Sequence, residues 1–320
     1  MLVHGVVRGV SNSLHRVRRA LGAVGRVLIT VGLLLLLFVA YQLWGTGIYE
    51  ARAQDNLRSQ FDRTLHHHAP ASTTTGPTST VPASTTTTPP VPLAVPKKGD
   101  ALALIGIPKT GVNKVVVEGV DVDDLRKGPG HYPGTSLPGQ EGDTAIAGHR
   151  TTYGAPFGDL DELAAGDEIT VVTVQGKFRY RVTEQKVVDP SDVSVLDPVP
   201  DPAHAGHQLA TLTLTTCNPK YSASQRLVVQ AALELPATQL PLPFTPSRGR
   251  STVINGLSGE RSSRTPTILW GVIATAIGLL WWFAFHRYPR WTTWIVGAAP
   301  FLVTLFVCYM HLERLLPSNY

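Results

Sequence analysis

The chain has 320 residues, 43% of them hydrophobic and only 16% charged, which leaves room for one or two domains plus membrane segments but is too mixed for membrane helices throughout. Its two cysteines, Cys217 and Cys308, exclude a disulfide framework and a Cys-rich zinc protein, so any cysteine chemistry uses single thiols. The formal charge of +5 comes partly from arginines beside long apolar runs, which points to cytoplasmic flanks of membrane segments and away from nucleic acid.

The predicted elements begin with Val27 to Trp44, 18 residues without a charge, preceded by Arg8, Arg16, Arg18, Arg19 and Arg26. That pattern predicts a signal anchor over 27–44 with residues 1–26 held in the cytoplasm. A cleaved signal peptide is the rival, because Ala51-Arg52-Ala53 imitates a small-x-small cleavage site, although the apolar core exceeds the usual length of about 7–15 residues. Ala69 to Pro92 is nearly all Thr, Pro, Ser and Ala, with too few large apolar groups to offset the entropy of ordering it. Residues 45–99 are accordingly expected to be an extracellular, semi-stiff tether.

Ala101 to Leu235 has the texture of a compact β domain, taken here as 100–236. ALALIGI, KVVVEGV, DTAIA, EITVVTV, KFRYRVTEQKVV, LATLTLTT and RLVVQAAL are short, β-branched and separated by Gly, Pro and Asp. About seven strands with no long amphipathic helix between them predict a sandwich or closed barrel. A Pro- and Arg-bearing linker, 237–264, leads to two further apolar runs, Thr265 to Phe285 and Trp291 to Tyr309, each long enough to span a bilayer. The second helix is bounded at 291–310. Arg287 and Arg290 suit a cytoplasmic loop at 286–290, and Trp270, Trp281, Trp282, Trp291 and Trp294 suit interfacial belts. The expected topology is multi-pass, with the N-terminus inside and both the β domain and the 311–320 tail outside. Arg248, Arg250, Arg261 and Arg264 run against the positive-inside pattern, which the first anchor is expected to override.

Cys217 ends the run LATLTLTTC and is followed by Asn218-Pro219, which stops a strand. Alternation places Leu212, Leu214 and Thr216 on one face and Thr211, Thr213, Thr215 and Cys217 on the other, so the thiol is expected at the mouth of a polar face. The bland alternative is a small buried hydrophobe. A nucleophilic thiol needs a base or cation nearby. The candidate histidines are His131, His149, His204 and His207, of which His149 stands where a short apolar run opens into a polar loop. Arg226 begins RLVVQAAL nine positions beyond Cys217, facing with Val228 and Gln230, and returns beside the thiol if the two strands are neighbours. A guanidinium there could hold an oxyanion, or it could be a solvated strand-edge cation.

AIAGHR, TLTTC and an arginine nine residues further on resemble the sortases, the membrane-anchored cysteine transpeptidases of Gram-positive-type cell envelopes. GPGHYPGTSLPGQEGDTAIAGHR is similar to classes D and E, and the basic chain with its Thr/Pro stretch is most like class E. The resemblance implies an all-β, closed eight-stranded barrel. It makes Cys217 the nucleophile that attacks the Thr–Gly carbonyl of an LPxTG or LAxTG sorting signal to form a thioester. His149 becomes the acid and base, and Arg226 the oxyanion or backbone clamp. Substrate contacts are expected from Tyr132, Thr215 and Thr216. The implied partners are surface-protein sorting signals, a peptidoglycan precursor amine and membrane lipid, with no cofactor and no nucleic acid. Pilin polymerisation is the alternative within the family, though no Asp-Pro-aromatic lid motif precedes Ala101. Outside it stand a membrane-tethered wall-binding module, in which Cys217 is structural, and a degenerate scaffold.

Weaker patterns predict no metal. A 12-residue calcium loop counted from Asp121 ends at Tyr132, so Asp121, Asp123 and Asp124 are expected to form a solvated turn. His66-His67-His68 and the His204/His207 pair lack further ligands, and GxxxxGK and GxGxxG are absent.

Overall fold

The computed structural model describes residues 21–22, 24–26, 28–68, 96–204, 206–235, 241–244, 264–285 and 291–313. The Thr/Pro-rich stretch at 69–92, the arginines at 8–19 and 248–261, and the loop at 286–290 lie outside the described residues. Eight strands, β1 (Ala101–Ile107), β2 (Val112–Glu118), β3 (Gly130–His131), β4 (Gly142–Ala147), β5 (Glu168–Thr173), β6 (Gly176–Val188), β7 (Ala210–Asn218) and β8 (Gln225–Leu233), close into a barrel in the order β1-β2-β3-β4-β7-β8-β6-β5. β2·β3 and β4·β7 are parallel and the other pairs antiparallel. The expected closed barrel is therefore present, with β3, only two residues long, escaping any periodicity test.

Two-residue periodicity fills the barrel. Along β6, Phe178, Tyr180 and Val182 pack inward while Lys177, Arg179 and Arg181 alternate between them. Ile105 and Ile107 of β1, Ile169 and Val171 of β5, Leu212 and Leu214 of β7, and Leu227 and Val229 of β8 meet them in one core. β2 is different: Val115, Val116 and Val117 are all fully buried, so it cannot have a wet outer face. Val116 enters the barrel core, and Val115 and Val117 face outward beneath Leu57.

That cover is helix α1 (Thr46–His68). It continues a longer helix, Val24–His67, through a π-type stretch at Tyr41–Gly45. The expectation that the tether starts at residue 45 is thus corrected. Residues 46–68 are helical and docked on the barrel, because Glu50, Gln54, Leu57 and Phe61 fall on one helical face and all four are buried. With β3 so short, the edge of β2 leaves backbone groups that Gln54 completes. Its Oε1 accepts from Val115 N–H at 2.7 Å, and its Nε2 donates to Val115 O at 3.0 Å and Lys127 O at 2.8 Å. Glu50 pairs with Lys114 at 2.7 Å. Burial of Leu57 and Phe61 adds roughly 1.5–3 kcal/mol each.

A short helix, α2 (Val122–Leu125), occupies the DVDDL segment. The solvated turn expected there is also corrected: Asp124 is 4% exposed, and burial pushes its carboxyl up against the opposing pull of Lys98 and Lys127. Only Asp121 and Asp123 are open to solvent.

Helices α3 (Arg264–Phe285) and α4 (Trp291–Glu313) pack together after the barrel. Among the described residues two helices, Val24–His67 and Thr265–Ala284, are long and apolar enough to cross a membrane, and Ala298–Leu312 is a shorter apolar helix. The N-terminal apolar helix and α4 are joined by aromatic packing. Phe38 and Tyr309 lie 5.1 Å apart, Tyr41 and Phe306 5.2 Å apart, and Tyr309 Oη donates to Leu34 O at 2.7 Å.

Candidate active site

The site forms where β7 runs between β4 and β8. In the antiparallel β7·β8 register Cys217 is the direct partner of Arg226, as the strand alternation requires. Arg226 Nη1 lies 3.8 Å from Sγ and also donates to Ala223 O at 3.2 Å and Gln225 O at 3.1 Å, so backbone carbonyls hold the guanidinium over the thiol.

On the other side, the parallel β4·β7 register runs from Gly142↔Ala210 to Ala147↔Thr215. It is prolonged by Gly148 N–H donating to Thr215 O at 3.0 Å and by Thr216 Oγ1 donating to Gly148 O at 2.8 Å. Carried two residues past Ala147, this register brings His149 level with Cys217. His149 is buried, its Nδ1 lies 3.3 Å from Thr152 Oγ1, and its ring packs 5.1 Å from that of Tyr153. The loop that holds it turns sharply, with Tyr153 and Ala155 at φ 50° and 42°, a region costly for residues with a Cβ. Phe157 N–H closes the loop on His149 O at 3.0 Å.

A second arginine, passed over in the sequence as the neighbour of His149, shares the site. Arg150 Nη1 donates to Cys217 O at 3.0 Å and to Asn218 Oδ1 at 2.9 Å, and its Nη2 pairs with Asp161 at 3.0 Å. Its guanidinium thereby fixes the backbone that carries the thiol. The available signal was the Arg directly after the candidate histidine.

Cys217 is 3% exposed, deeper than the polar mouth expected, although it lies outside the leucine core. Burial pushes its thiol up from the ordinary value, against the opposing pull of Arg226 and then Arg150. The two guanidiniums are the groups that favour its ionisation.

Beside Arg226 runs a narrow cleft floored by Tyr132, Thr215 and Val228 and roofed by Val193 and Leu196 of the β6–β7 connection. Tyr132 Oη and Thr215 Oγ1 share a hydrogen bond of 3.0 Å, so these two predicted contact residues meet at the cleft. Thr216 does not. It is fully buried with its hydroxyl committed to Gly148 O, and in place of the substrate contact expected of it, it ties β7 to the His149 loop.

The other histidines stand elsewhere. His131 is fully buried between Glu118 Oε2 at 2.8 Å and Ser136 O at 3.0 Å, while His204 and His207 pair with Asp201 and Glu141. Among the described residues no cluster of three or more His, Cys, Asp or Glu could hold a metal ion.

A closed eight-stranded barrel with Cys, His and two Arg gathered at the end of a central strand defines a thiol-nucleophile barrel. Residues 105–234 match the sortase domain. Sortase SrtE1 of Streptomyces coelicolor is 34% identical over 218 residues, covering 65% of this chain and 55% of its own length. Sortase SrtE2 of the same organism is 30% identical over 226 residues, covering 67% of this chain and 82% of its own length. The solved structure of sortase E from Streptomyces avermitilis is 41% identical, covers 43% of this chain and 91% of that one, and superposes with a TM-score of 0.38. The chain belongs to the sortase family. It spans little more than half the length of SrtE1.

Proposed function

We propose that the chain is a membrane-anchored sortase that cleaves a sorting signal of the LAxTG or LPxTG type between Thr and Gly and transfers the protein to a peptidoglycan amine. The observation that carries this reading is the direct pairing of Cys217 with Arg226 on adjacent strands, with the His149 loop tied to the same strand from the other side. The Cys217 thiolate attacks the Thr carbonyl carbon. The tetrahedral oxyanion is held by Arg226 as the C–N bond to Gly breaks, and His149 as imidazolium gives its proton to the leaving amine. Neutral His149 then takes a proton from the incoming amine as it attacks the thioester, and the thiolate leaves. Tyr132 and Thr215 are the proposed substrate contacts along the cleft.

Residues 27–44 and the two C-terminal helices are proposed to span the cell membrane, with the barrel outside. The continuity of the N-terminal helix into α1 supports a barrel seated close to the membrane surface. The test incubates the full chain in detergent with LAxTG and LPxTG peptides and a glycine-based amine, followed by mass spectrometry of protein and peptide. A thioester on Cys217 and an amine-linked product, both lost in Cys217→Ala, are the expected result. A reactive thiol that neither peptide acylates refutes the proposed signal, and an unreactive one returns the wall-binding module.

A further inference from the structure

Away from Cys217, a cavity of about 600 Å³ opens where α1, α4 and the barrel meet, within the range of roughly 300–1,000 Å³ that accommodates small ligands. Its lining is two-sided. The barrel and α1 contribute Arg52, Arg126 and Lys127, and the apolar helices contribute Tyr41, Phe306 and Met310. Among the described residues no carboxylate lines it. Two of its cations have acidic neighbours, with Asp123 3.3 Å from Arg126 and Asp124 3.9 Å from Lys127.

Arg126 is the informative member. It is 6% exposed, and its Nε is buried with no hydrogen-bond partner among the described residues, an arrangement that is costly unless something else meets the guanidinium. Arg52 is exposed on the opposite wall and takes part in no ion pair among the described residues. The cavity also touches the catalytic loop. Tyr153 lines it, lies under the Arg126 guanidinium at 5.7 Å, and packs its ring against His149.

We infer that this cavity binds the phosphate headgroup of an anionic membrane phospholipid, with its acyl chains lying along Tyr41, Phe306 and Met310. Cations facing each other across the cavity, Arg52 from α1 and Arg126 and Lys127 from the barrel, with aromatic and thioether surface from the apolar helices, match an amphiphile that is negative at one end and apolar at the other. Occupancy would bear on the site through Tyr153. The inference rests on the proposed membrane anchoring, since only a barrel seated at the bilayer brings the cavity to headgroup level.

The full chain is reconstituted in vesicles of equimolar phosphatidylcholine and phosphatidylglycerol, extracted in mild detergent, and examined by native mass spectrometry for retained lipid. Phosphatidylglycerol is expected to be retained in preference to phosphatidylcholine. Arg52→Gln and Lys127→Gln should each reduce its retention about fivefold, the effect of one basic residue at an anionic lipid surface. Ala53→Phe, which fills the cavity from α1 and leaves every charge in place, should abolish it. Equal retention of both lipids, or retention indifferent to all three variants, overturns the lipid site. Displacement of the lipid by free glycerol phosphate at equal concentration assigns the site to a soluble phosphate ester and also overturns it. Flotation with vesicles of phosphatidylcholine alone tests the anchoring separately: a chain that fails to float refutes the membrane reading itself.

Discussion

Replacing Arg226 with alanine removes the guanidinium that lies 3.8 Å from the Cys217 sulfur. Two unit charges at about 4 Å interact by roughly 1 kcal/mol in water and roughly 4 kcal/mol at an effective dielectric of 20. Arg226 is only partly buried and the thiol is buried, so the lower part of that interval applies, about 1–2 kcal/mol. Because about 1.4 kcal/mol is one decade of ionisation, the thiolate fraction at neutral pH should fall about tenfold in Arg226→Ala. The assay is the rate of Cys217 alkylation by iodoacetamide across pH, resolved from Cys308 by peptide mass spectrometry. In the wild type the rate should climb with pH beyond the ordinary thiol range, because burial raises the thiol. In the variant the curve should move to higher pH, with the gap closing on the high-pH plateau, where both thiols are ionised and only access differs. Added salt should narrow the gap near neutrality. Superimposable pH profiles from two folded proteins would refute the argument that Arg226 acts on the thiol by its charge. Arg226→Lys separates the roles: it should keep most of the alkylation rate while losing acyl transfer, since an ammonium cannot reproduce the planar fork.

Asp143 supplies a stability test. Its Oδ1 accepts from Thr211 at 2.7 Å and Thr213 at 2.8 Å, and burial pushes its carboxyl up from 3.8 to about 6. The folded chain therefore holds this proton more tightly than the unfolded one. The resulting stabilisation, about 3 kcal/mol at most, is full below pH 4 and is lost as pH rises through about 6. Urea unfolding of Asp143→Asn should show a flattened slope in that window, and a slope equal to the wild type's would count against the assignment. Gln54→Ala should leave Val115 N–H and two carbonyls unpaired beneath α1, at about 1–3 kcal/mol for each group that stays dry. Faster hydrogen exchange at Val115 is the readout, and unchanged protection would mean that α1 is not docked there. Tyr153→Ala removes the ring packed on His149 and should slow peptide acylation by about ten- to a hundredfold while leaving iodoacetamide reactivity within a few fold. Equal losses in both would move Tyr153 from positioning the histidine to supporting the fold.

Much of the barrel is legible locally, because strands such as β5 and β6 show their own two-residue alternation and need no partner to reveal it. The valine run of β2 is the instructive exception. Val115, Val116 and Val117 read as a strand, but the lack of alternation also implies a second covering layer that the sequence reading did not seek. The cover, α1, does not read as a docked helix, because its buried stripe begins with Glu50 and Gln54, polar residues whose place becomes intelligible only once Lys114 and the Val115 backbone stand opposite. Thr216 illustrates the same limit. Parity had already put it with Leu212 and Leu214, yet the family motif drew it toward the substrate, and its hydroxyl is spent on Gly148 O.

By itself the sequence determined most of the strand pattern, the apolar helices and the residue types of the proposed reactive centre, with Cys217, His149 and Arg226 marked by motif and Cys217 and Arg226 also by parity. Only the tertiary structure decided how deeply the thiol is buried, that Arg150 grips the backbone of Cys217, and that α1 seals the outer face of β1 and β2. The reason is distance along the chain. Gln54 meets Val115 across 61 positions and Arg150 meets Cys217 across 67, and contacts of that range leave no periodicity in either segment, since they arise only when the closed barrel sets the segments side by side.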